Sequence, residues 1–312
     1  MGLFGKKELC PICGAPTPRL LPTKVADTPI CKECAGKIDI PYDVVGAMTL
    51  DDFRQYLAFY DENAALREQF QNEYAFDVKG WVDEVEIDFT HGLFRMTDQP
   101  QSIVFEGSCI RSVQIMEDNY PLYEGSAAGL RCSPSEATKY LYQLRPMYNE
   151  YLREKREYER TRAMIEAMDR DRDGPRRDIP EPSFDAQQPV QQYHIILTLD
   201  HPYRTELRGD LDGPDFSFLV PDLPETTQKY HELLDSLDVL AQNLMKLFAP
   251  NAPIQKMDSI GTQPVQTTPA GSGVTAEPTD AVAEIQRFKA LLDQGILTEE
   301  EFTAKKRQLL GI

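Results

Sequence analysis

Four of the six cysteines fall into two Cys-x-x-Cys pairs, Cys10-Pro-Ile-Cys13 and Cys31-Lys-Glu-Cys34, with 17 residues between them. Two residues between ligands let the backbone turn back on itself, so that both thiolates of a pair face one ion. The interval between the pairs is the one zinc ribbons use. Gly14 follows the first pair, where backbone with positive φ is commonly needed. The expected cofactor is one structural Zn2+ held by Cys10, Cys13, Cys31 and Cys34. Four thiolates leave no open coordination position for water, so the centre would scaffold rather than hydrolyse. Rubredoxin-like iron and redox dithiols are the alternatives, but a redox pair normally occurs once, at the start of a helix in a βαβ context missing here. A head of about 40 residues can hardly fold on core burial alone, whereas metal binding can contribute on the order of 10 kcal/mol.

The remaining reactive side chains make no comparable pattern. Cys109 and Cys132 have no partner at ligand spacing and read as small buried hydrophobes. His91, His194, His201 and His231 are scattered, with no i, i+4 pair. Asp169-Arg-Asp-Arg-Asp-Gly174 opens like a calcium loop, but its twelfth position is Pro180 where a bidentate Glu belongs, so a helix end and connector are expected instead. No P-loop, dinucleotide fingerprint or nucleophile elbow is present. An enzyme would have to assemble its site in the body from residues such as Asp200, His201 and Arg204.

Charge narrows the partners. The 312 residues carry a net charge of -18, with 41% hydrophobic and 27% charged residues and a mean hydropathy of -0.46. Such a charge repels phosphate backbones and anionic membranes. Over residues 1–40, Lys6, Lys7, Arg19, Lys24, Lys32 and Lys37 stand against Glu8, Asp27, Glu33 and Asp39, a weak excess without interleaved aromatics. A zinc-ribbon nucleic-acid binder is therefore disfavoured. No apolar run approaches the roughly 20 residues of a transmembrane helix, and the first residues are charged too early for a secretory signal. The expected location is the cytoplasm, where persistent disulfides are rare.

The elements that must position the cysteines follow from periodicity. Residues 1–45 form the zinc ribbon, with treble-clef-like knuckles. Thr49 opens a helix with Asp52 three residues on, and Phe53, Leu57, Tyr60 and Ala64 recur on one face; residues 46–77 are expected to pack on the body. The period then changes to two. Trp81, Val85, Ile87 and Phe89 alternate with acids, and a turn at His91-Gly92 leads to strands over 93–97, 103–106 and 109–116. A second group follows: Ile195, Leu197 and Leu199; residues 205–211; then Phe216, Phe218 and Val220. A long amphipathic helix over about 226–248 closes the body with Tyr230, Leu233, Leu234, Leu237, Leu240, Leu244 and Leu247. Seven antiparallel strands closed by one helix match the order of a pleckstrin-homology-like barrel over residues 78–248. Its helical insertion, 133–174, begins with the capping box Ser133-Pro-Ser-Glu136 and is expected to break or kink at Pro146.

Residues 249–279 hold five prolines among Gly, Ser, Thr and Gln and read as a disordered linker. Beyond it, Val282, Ile285, Phe288, Leu291 and Leu292 make a short amphipathic helix closed by Gly295. Thr298-Glu-Glu-Glu301 caps a second helix presenting Phe302, Leu309 and Leu310. Two helices this short bury too little to stand alone, so the hairpin should dock on a second copy, its own body or another protein. The expected contact residues are Phe288, Leu291, Leu292, Ile296, Leu297, Phe302, Leu309 and Leu310.

The run Ile285-Gln-Arg-Phe-Lys-Ala-Leu-Leu-Asp-Gln-Gly-Ile-Leu-Thr-Glu-Glu-Glu-Phe302, continued by Lys305-Lys306 and Leu309-Leu310, closely resembles the bacterial short C-terminal domain family, SHOCT. The resemblance covers residues 280–312 and implies oligomerisation or partner tethering, with no catalytic residues. The N-terminal Cys-Pro-Ile-Cys-Gly with Ile30-Cys-Lys-Glu-Cys is similar to a four-cysteine bacterial domain of unknown function that often accompanies such a tail. It departs from that pattern in the proline-rich loop Ala15 to Pro29. The expectation is an α+β multidomain protein, a non-enzymatic zinc-binding adaptor or assembly protein that engages itself or another protein through its C-terminal hairpin.

Overall fold

The computed structural model describes residues 8–78, 84–97, 101–168, 179–216, 222–256 and 265–266. Its head is made almost entirely of turns. Glu8 and Thr17 face each other across a narrow loop, with Thr17 N donating to Glu8 O at 3.0 Å and Cys10 N to Ala15 O at 2.8 Å. β1 (Lys24–Val25) and β2 (Thr28–Pro29) form a minimal hairpin. Its central residues Ala26 and Asp27 both take positive φ, 46° and 58°, the turn hand that suits strand twist. α1 (Lys32–Ala35) and α2 (Tyr42–Ala47) follow. The expected head boundary at residue 45 therefore falls inside a helix.

α3 (Leu50–Glu62) begins as its sequence dictates, with Thr49 Oγ1 accepting from Asp52 N at 3.2 Å and Thr49 N donating to Asp52 Oδ2 at 2.9 Å. Its buried face is Phe53, Tyr56, Leu57 and Tyr60. The helix is interrupted at Asn63, whose amide exchanges two hydrogen bonds with the backbone of Val104, at 2.8 and 3.0 Å, before α4 (Ala64–Gln69) resumes. Asn63 thus docks this region on the strands that follow.

Two sheets make the body. β3 (Tyr74–Asp77), β4 (Glu84–Asp88), β5 (Leu93–Arg95) and β6 (Phe105–Glu106) form an antiparallel four-stranded sheet in chain order. The larger sheet contains β7 (Ile110–Glu117), β8 (Tyr120–Ser126), β9 (Gly129–Cys132), β10 (Gln192–Leu199), β11 (Glu206–Asp212), β12 (Ile254–Lys256) and β13 (Val265–Gln266), in the order β11-β10-β7-β8-β9-β12-β13. All its pairs are antiparallel except β12 with β9, so the sheet is mixed. Alternation places Val113 and Ile115 of β7 with Tyr193, Ile195, Leu197 and Leu199 of β10 in one continuous core. Against it lies α6 (Leu223–Phe248), capped by Asp222 and burying Tyr230, Leu237, Leu240, Ala241, Leu244 and Met245. Gly107, in the short 3₁₀ turn before β7, lets α6 land there, since a Cβ would sit 2.7 Å from Leu247 O.

Several expectations need correction. The insertion helix α5 (Glu136–Met168) runs unbroken through Pro146. It starts later than the Ser133 box would place it, because Ser133 N is still spent on Leu122 O at 2.8 Å, continuing the β8–β9 pairing. Ser135 Oγ instead accepts from Thr138 N at 3.1 Å. The stretch expected as linker from residue 249 opens with β12, which pairs with β9 and β13. β3, β8, β9, β12 and β13 were absent from the periodic reading, and Phe216 lies in no strand. Trp81, Phe218, Val220 and the Asp169–Gly174 segment lie outside the described residues. Among the described residues no helix is long and apolar enough to cross a membrane.

Candidate metal centre

The two knuckles bring four sulfurs together. Cys10 Sγ lies 3.9 Å from Cys34 Sγ, Cys13 Sγ lies 3.4 Å from Cys31 Sγ and 3.7 Å from Cys34 Sγ, and all four fall within 4.8 Å of one another. Four sulfurs bound at ~2.3 Å around a tetrahedral ion stand roughly 3.8 Å apart, so the cluster already has the dimensions of a tetrathiolate. The six cysteines are all free thiols.

Local backbone explains the convergence. Gly14, at φ +75°, turns the first knuckle so that its N–H reaches Cys10 O at 2.9 Å. Cys31 caps α1, its Sγ accepting from Cys34 N at 3.4 Å. Cys10, Cys31 and Cys34 are buried while Cys13 faces solvent, which gives an ion a route in. Burial pushes the Cys10 thiol up, but the backbone N–H groups of Cys13, Cys31 and Ile12 outweigh it and bring it down to about 7. Burial and the sulfurs of Cys31 and Cys13 push Cys34 the other way. Cys10 thus ionises easily while Cys34 resists, a resistance that a divalent cation at the centre would offset.

The centre is tied to the body through Asp39. Asp39 Oδ2 accepts from Ile103 N at 2.6 Å, Asp39 N donates to Tyr56 Oη at 2.8 Å, and Asp39 O accepts from Arg204 Nη2 at 3.1 Å. Burial raises the Asp39 carboxyl, while the Ile103 N–H and Arg204 pull it down. Sequence patterning gave no sign of this arrangement, because Asp39 and Arg204 are 165 residues apart.

Asp200, His201 and Arg204 are neighbours in sequence, but their side chains turn to different groups. Asp200 forms an ion pair with Arg111. The His201 ring packs against Phe59 and Phe105, and its Nδ1 accepts from the N–H groups of Tyr203 and Arg204 at 3.3 and 3.2 Å. Burial, followed by the Arg204 charge, lowers the basicity of that imidazole. Arg204 turns to Asp39. Cys109 and Cys132 stand apart from the cluster, and burial pushes both thiols up to about 11. Phe288, Leu291, Leu292, Ile296, Leu297, Phe302, Leu309 and Leu310 lie outside the described residues.

Fold and site together define an α+β chain with a four-cysteine cluster able to hold a metal ion. The family described as SHOCT, short C-terminal domain, is matched over residues 283–310. That match speaks for its own segment of the chain. Neither the curated proteins nor the solved structures contain a match to this chain.

Proposed function

We propose that the chain is a non-enzymatic cytoplasmic adaptor or assembly protein. A zinc tetrathiolate at Cys10, Cys13, Cys31 and Cys34 holds its head, and its SHOCT segment recruits a second copy or another protein. The observation that carries this reading is the family match over residues 283–310. The spacing of the four sulfurs supports the metal, and a tetrathiolate shell favours zinc over harder cations. The packing of α6 on the larger sheet supports the pleckstrin-homology-like assignment of the body, to which β12 and β13, beyond α6, and their parallel pairing with β9 are additions. A net charge of -18 speaks against a nucleic-acid partner.

Light scattering on the full chain and on a truncation ending at Pro278, with metal analysis of both, tests the reading. Both forms should carry one zinc per chain, and the truncation should lose either its oligomeric mass or a partner captured by the full chain. Identical mass and identical captured proteins in the two forms would remove the adaptor role. Absence of metal would remove the zinc centre.

A further inference from the structure

We infer that Arg204, in the body, helps set how tightly the head holds its metal, acting through Asp39. The inference rests on the metal reading above. On the head side the connection is short: Lys37 N donates to Cys34 O at 3.4 Å, so the segment 37–39 begins within one turn of a ligand. On the body side that segment is held at nearly every polar group. Tyr56 Oη donates to Lys37 O at 2.7 Å and receives Asp39 N, the Asp39 carboxylate takes Ile103 N, and the Asp39 carbonyl takes Arg204. Three residues thus bridge α3, the β5–β6 connection and the β10–β11 turn.

Arg204 has little else to balance it. Its side chain is 21% exposed, the Asp39 carboxylate stands 4.0 Å away, and its Nε finds no acceptor among the described residues. Tyr203, beside it, is packed edge-on against Tyr56 at 5.2 Å and tilted against Phe59 at 5.2 Å. Apart from its cysteines, the described head up to Ile40 buries only Val25, Ile30 and Ile40. Without a central ion, little fixes residues 37–39 from the head side. If Asp39 moves away, a mostly buried guanidinium is left without its acceptors, which is strongly unfavourable, and the β10–β11 turn must rearrange. Coupling between two sites is reciprocal. A change at Arg204 that loosens Asp39 therefore weakens metal binding, although neither residue touches the ion.

The experiment uses the full chain. Zinc affinity is read by competition with a chromophoric chelator for wild type, Arg204→Met, Asp39→Ala and, as a control, Asp61→Ala, whose exposed ion pair with Lys37 contributes little. Hydrogen exchange over residues 199–206 is followed in parallel, with and without chelator. Arg204→Met and Asp39→Ala should bind zinc about tenfold more weakly, with Asp61→Ala unchanged. Chelation of wild type should speed exchange in 199–206 as well as in the head. Unaltered zinc affinity in a folded Arg204→Met protein overturns the coupling, as does chelation that frees the head while 199–206 stays protected. If both variants fail to fold, the wild-type chelation experiment alone decides. A chain that binds no zinc at all fails the metal reading itself, and the coupling with it.

Discussion

The Glu117 carboxylate caps a helix from a neighbouring strand: it accepts from Ser135 Oγ at 2.6 Å and, nineteen positions along the chain from itself, from Glu136 N at 2.7 Å. Tyr193 Oη also donates to it, at 3.3 Å, and the side chain is almost wholly buried. One acid from β7 thus replaces the local capping box. Glu117→Ala leaves these three donors unmatched, Tyr193 Oη among them in the core, and should cost about 2–3 kcal/mol in urea denaturation. Glu117→Gln keeps an acceptor oxygen and should cost about half as much.

Pro146 lies inside α5, where its ring removes one backbone donor and crowds the preceding turn. Replacement by Ala restores the hydrogen bond but gives the unfolded chain more freedom. The first effect is the larger, so Pro146→Ala should stabilise the protein by roughly 1–2 kcal/mol. A lower thermal midpoint in the variant would show that the helix needs its proline.

Asp88 is a fully buried acid, with a side-chain exposure of 0%, that accepts from Gln71 N at 2.8 Å, His91 N at 2.9 Å and His91 Nδ1 at 2.7 Å. Burial pushes its carboxyl up, but these donors together outweigh burial and hold it below the usual range. A depressed folded value means that the proton binds more weakly to the folded state. The stability Asp88 contributes is therefore complete above the unfolded value of about 4 and is lost as pH falls through the depressed folded value. Asp88→Ala should be about 2 kcal/mol less stable than wild type at pH 7, and the gap should narrow in chemical denaturation as pH falls below the unfolded value. A gap of constant size across that range would assign the loss to packing instead.

Legibility followed sequence distance. The cysteine knuckles could be read because each depends on a tetrapeptide, the first with Gly14 directly after it. β4, β5, β7, β10 and β11 showed themselves through alternation, and the Thr49 cap through two residues. β8 did not, because Pro121 and Gly125 interrupt its pattern. The register shift between Ile115 and Met116, opposite Pro121, lets the ladder accommodate that proline. β9 and β12, at four and three residues, are too short for a period to register.

Two further misses share one cause: a partner elsewhere in the chain. Ser133 looked like a helix cap because its tetrapeptide has the right residues, yet its N–H already belongs to the sheet. Asp39 looked like one acid among four in the head, and only the fold brings Ile103, Tyr56 and Arg204 around it. Local spacing carries no information about such meetings.

The parallel pairing of β12 with β9 has a practical side. Ile254 sits opposite Leu130 and Lys256 opposite Cys132, so a chain cut directly after α6 would leave the β9 rim bare. An uncovered rim of backbone donors and acceptors invites other molecules to zip onto it. Anyone trimming the C-terminus to isolate the body should leave Gln266 in place, or risk mistaking clumping for a native assembly.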